Sequence, residues 1–107
     1  MGHGMIRRPF GYGGVSLKRI HQRIFRLNDK IAEIEREEVL VVAELDFHRS
    51  INDDAQRDAA VGNYIDREEA GLTAADVRRF EKTLKDLGDK RDRLERKRDL
   101  LMSRVLD

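Results

Sequence analysis

The first long apolar series in this chain advances by alternating steps of three and four: Leu17, Ile20, Ile24, Leu27, Ile31 and Ile34. Past a polar position at Glu38 it resumes with Val41 and Leu45. Only an α-helix gathers such positions on one side, and a mean step of about 3.5 residues is that of a coiled-coil seam. The intervening residues are charged or polar, so this helix has one narrow stripe to bury and needs a long partner. From Val39 onward the stripe widens as Val39, Leu40, Val42 and Phe47 join it, which predicts more than one neighbour for that half. The pattern predicts a first helix over about 17–49, with Ser16 as its N-cap.

A second series, Val77, Phe80, Leu84, Leu87, Leu94, Leu101 and Val105, predicts a helix of similar length over about 74–106. Arg91 and Arg98 fall in the same phase, where a guanidinium must snorkel outward or meet a carboxylate. Thr73-Ala74-Ala75-Asp76 has the spacing of a capping box for that helix. Between the two series a break is expected near Ser50–Asp54, followed by a short helix over about 54–70 that carries Ala55 and Ala59 and stops at Gly71. Ahead of everything, MGHGMIRRPFGYGG, with its glycines and Pro9, reads as a flexible tail over 1–15; a single helical domain occupies 16–107.

The expected fold is therefore all-α: a coiled-coil hairpin of two long antiparallel helices with a short helix at the connection. An up-down-up three-helix bundle, with the short helix along the wide half of the first, is the alternative. Matched helix lengths favour the hairpin. Charge opposes it, because a hairpin brings Lys18, Arg19, Arg23, Arg26 and Lys30 toward Arg93, Arg96, Lys97 and Arg98.

Composition sharpens this picture. Of 107 residues 40% are charged and 39% hydrophobic, with one Pro and no Trp. That balance suits solvated helices with narrow seams better than a thick core. The 22 basic and 21 acidic side chains nearly cancel, which disfavours nucleic acid as a partner. If nucleic acid bound, Arg7, Arg8, Phe10 and Tyr12 of the tail and the run Lys90–Arg98 would be the contacts. No cysteine is present, so disulfides and thiolate chemistry are excluded. No apolar run approaches the length of a membrane span, and a cytoplasmic protein is expected.

Candidate chemistry is sparse. His3, His21 and His48 have no i,i+3 or i,i+4 relation to one another, and no phosphate-binding, zinc-protease or nucleophile motif appears. No cofactor or metal is expected, and a thin helical domain offers no enclosed pocket for catalysis.

One acidic cluster stands apart: Asp53, Asp54 and Asp58, then Asp66, Glu68 and Glu69. SINDDAQRDAA (Ser50–Ala60) resembles the acidic hairpin tip of the Gre transcript-cleavage factors, and REEAGLTAADVRRFEKTL (Arg67–Leu84) resembles the start of their return helix. The resemblance covers about a third of the chain, with Ser50 where the tip would carry its first acid. It implies a modulator that enters a channel of RNA polymerase, with Asp53 as the retained tip acid. Capping of two helix starts explains the same aspartates more simply.

The function expected from these residues is binding: an adaptor or assembly subunit, a homodimer that also meets another protein. Its contacts would be the two seams, with Asp53, Asp54 and Asp58 as candidate tip contacts.

Overall fold

The computed structural model of the chain describes the backbone of residues 2–106 and the side chains of 17–106. The tail expected over 1–15, its basic and aromatic side chains, and the capping role of Ser16 lie outside the side chains described. The fold is an all-α helical hairpin of two helices, α1 (Gly2–Val61) and α2 (Tyr64–Leu106), joined at Gly62–Asn63. Two compact units make it up, one from Met1–Glu33 with Arg91–Asp107 and the other Ile34–Lys90.

The turn is built by three residues. Asn63 Oδ1 accepts hydrogen bonds from the amides of Ile65 and Asp66 at 3.0 and 3.2 Å, and Asp66 Oδ2 accepts from the Asn63 amide at 3.3 Å. This is a reciprocal capping box at the start of α2, with Asp in the usual Glu position. Gly62 precedes it because a Cβ there would overlap the Asp58 carbonyl oxygen and the Asp66 carboxylate.

Three local expectations are thereby corrected. No break occurs at Ser50–Asp54; α1 continues through it to Val61, so the expected short helix is the last part of α1 and the first turns of α2. Thr73 is not a cap, since its hydroxyl lies 3.1 Å from the Ala70 carbonyl, one turn back inside α2. Gly71 stops nothing: it sits in mid-helix, with open space where its Cβ would be. Tertiary pairing overrides the weak helix propensity of Asn, Asp and Gly at these positions.

In the Ile34–Lys90 unit the two helix segments run antiparallel, because contacts that climb α1 descend α2. Gln56 Nε2 donates to the Ala70 carbonyl at 3.0 Å, the Thr73 hydroxyl donates to Asn52 Oδ1 at 2.9 Å, and the His48 ring stacks on Phe80 with centroids 4.6 Å apart. Arg49 pairs with Glu81 at 3.6 Å. Buried apolar residues in this unit are Ile34, Leu45, Ala55 and Ala70. The two alanines are small enough for the helices to close on each other beside the turn.

In the other unit Ile31 and Leu101 are buried, and Ile20, Ile24, Leu27, Leu94 and Val105 are half-buried. The half-buried Arg98 donates to Asn28 Oδ1 at 3.3 Å and to Asp99 at 3.2 Å. The half-buried Arg91 meets Glu95 at 3.2 Å. Both seam-phase guanidinia thus keep polar partners, and the register of Asn28 with Arg98 leaves Leu17 past the last described turn of α2, exposed.

Candidate interaction surfaces

The expected seam residues lie largely where helix faces helix. Ile31, Ile34, Leu45 and Leu101 are buried, while Ile20, Ile24, Leu27, Val41, Val77, Phe80, Leu84, Leu87, Leu94 and Val105 are half-buried. Each is occupied within the hairpin itself. What remains outward is a different set.

On α1, Val39, Leu40, Phe47 and Ile51 lie away from the seam, and the first three are 70%, 67% and 63% exposed. At 100° per residue they fall within one third of the helix circumference, with Ala43 among them. This is the widening that the sequence displays from Val39 onward. Phe47 also lies edge-on to the neighbouring His48 ring, with centroids 5.7 Å apart. Asp54 and Asp58 continue the same face toward the end of α1. There a groove of about 160 Å³ is lined by Ile51, Asp54, Ala55, Asp58, Asp66 and Glu69. Asp54 is paired with Arg57, and Asp66 serves the cap; Asp58 and Glu69 have no partner among the described residues. The stretch that resembles a Gre tip is thus continuous helix ahead of the turn, and Asp53, Asp54 and Asp58 stand on its exposed sides.

The unit formed by the outer ends of the helices has the opposite character. Its described side chains include eleven lysines and arginines against five acids, whereas Ile34–Lys90 has nine against fifteen. The near-neutral total hides this division. A groove of about 250 Å³ is lined by Arg23, Arg26, Leu27, Lys30 and Lys97, and a shallower one of about 310 Å³ by Arg93, Arg96, Lys97 and Leu100. The hairpin therefore does bring the two basic runs together, against the objection their charge raised. Ion pairs elsewhere absorb positive charge, as in Arg79–Asp76 at 2.8 Å and Lys82–Asp86 at 2.8 Å. In Lys85–Asp89 the hydrogen bond and then the charge of Asp89 raise the Lys85 pKa. No such pair engages Arg23, Arg26, Lys30 or Lys97 among the described residues.

Among the described residues no group of three or more His, Asp or Glu side chains is arranged to hold a metal, and no helix is long and apolar enough to cross a membrane. His48 is half-buried against Phe80, 3.8 Å from Glu44. No protein-family model, curated protein or solved structure matches this chain. The approach of the two basic runs was legible in the sequence as a charge objection to the hairpin, and what it did not give was the groove they line with Leu27.

Proposed function

We propose that this chain is a non-enzymatic interaction subunit that associates with a second copy of itself through the outward apolar face of α1. The observation that carries this reading is the exposure of Val39, Leu40, Phe47 and Ile51 on a face of α1 away from the seam. Together they present on the order of 400 Å² of apolar side chain, the range at which a patch on a soluble protein marks a contact site. Burying that area gives roughly 10 kcal/mol before the costs of association, which are of the same order. A two-helix domain buries little apolar surface alone, and a partner supplies the remainder.

The test is sedimentation equilibrium of the wild-type chain against L40K/F47K. The wild type is expected to self-associate at micromolar concentration and the variant to sediment as a monomer with unchanged helicity. A wild type that stays monomeric up to about 100 μM, a Kd weaker than about −5.5 kcal/mol of association, overturns the proposal.

A further inference from the structure

Two surfaces of this chain carry apolar area and opposite charge, and they belong to different units. One is the convex apolar face of α1 in the Ile34–Lys90 unit, which runs from Val39 to Ile51 and ends in the unpartnered carboxylates of Asp58 and Glu69. The other is the groove between the outer helix ends, with Leu27 at its base and the unpaired cations Arg23, Arg26, Lys30 and Lys97 around it. Its neighbour, lined by Leu100 and the stems of Arg93, Arg96 and Lys97, extends the same apolar base. An apolar floor with a cationic rim fits a helix that carries an apolar stripe and acidic flanks, by the helix-in-groove mode. A phosphate backbone would leave that floor wet, and a flat bilayer cannot enter a concavity. The α1 helix of another copy has those properties.

We infer that the acidic, apolar face of α1 in one copy docks on the basic groove of a second copy, so that each contact joins two different surfaces of the chain. This rests on the self-association proposed above and adds its geometry. Opposite charges at the rims set which face meets which groove, and like charges disfavour face on face. Each copy offers both surfaces, so association needs no further component.

Charge reversal separates the possibilities. R23E/K30E makes the groove acidic, and D58K/E69K makes the rim of the face basic; all four side chains are exposed and outside the seam. Each variant alone, checked for wild-type helicity, is expected to associate at least ~10-fold more weakly than wild type. An equimolar mixture of the two is expected to regain wild-type affinity, because every groove then meets a rim of opposite sign. The chain carrying all four changes should self-associate as wild type does and serves as the control if either double variant folds poorly. Retention of full self-association by R23E/K30E, or failure of the mixture to recover it, overturns this inference and leaves the proposed function standing. A monomeric wild type overturns both.

Discussion

Asn63 decides where this chain reverses. Its side chain closes the first turn of α2, and its amide is held in return by Asp66. Asn63→Ala removes both halves of that exchange and is expected to lower stability by about 1 kcal/mol, read from urea unfolding followed by circular dichroism. Gly62 cannot compensate, because any side chain there meets the Asp58 carbonyl, which is backbone and cannot swing aside. Gly71 is the opposite case. It lies mid-helix with free space around it, so Gly71→Ala is expected to add about 0.5–1 kcal/mol in the same experiment. A destabilised Gly71→Ala would mean that this position needs freedom the helix does not display. Both effects were illegible beforehand for one reason. Gly and Asn punctuate turns and also occur inside helices, and one sequence contains Gly62-Asn63, Asn52-Asp53 and Gly71 with nothing local to rank them.

The helices themselves were more legible than their ends. A period near 3.5 residues cannot arise from a strand or a loop, so Ile20 to Leu45 and Val77 to Val105 announced two seams that must face something. The periodicity could not tell that the small residues between them continue those same seams. Asn52, Ala55 and Ala59 hold seam phase on α1, as do Ala70 and Thr73 on α2, yet their polarity and size resemble a linker. They act instead as a close-packed segment in which Gln56 and Thr73 both reach Asn52, and Gln56 also reaches the Ala70 carbonyl. That closeness has a consequence for stability. Ala70→Leu would force the helices apart at a buried position and is expected to cost about 1–3 kcal/mol, against little or no change for Ala60→Leu on the exposed side. Thermal denaturation of the two variants checks the contrast, and equal melting temperatures would refute close packing at Ala70. The basic groove belongs to the same scale. Its residues are remote in sequence, and only the antiparallel pairing of helix ends joins Arg23, Arg26 and Lys30 to Lys97.

For the molecule as a whole, the small buried core would tie folding to the proposed self-association. Among the described residues the buried apolar side chains are Ile31, Ile34, Leu45, Ala55, Ala70 and Leu101, two of them alanine. A subunit with so little interior gains stability from any contact that only the folded form can make, and that gain scales with the logarithm of concentration. The melting temperature is therefore expected to rise between about 5 and 500 μM protein, and L40K/F47K should melt at one temperature throughout that range. A concentration-independent wild type would separate folding from association. The short reversal at Gly62–Asn63 has one more consequence, for how such a chain can change length. Because the turn fixes the phase of both helices, adding one residue to either arm swings every later side chain by about 100° and points the apolar stripe at water. Seven residues added to each arm at matched levels keep the stripes facing. Insertions between the turn and the outer ends are therefore best tolerated as heptads added to both arms together.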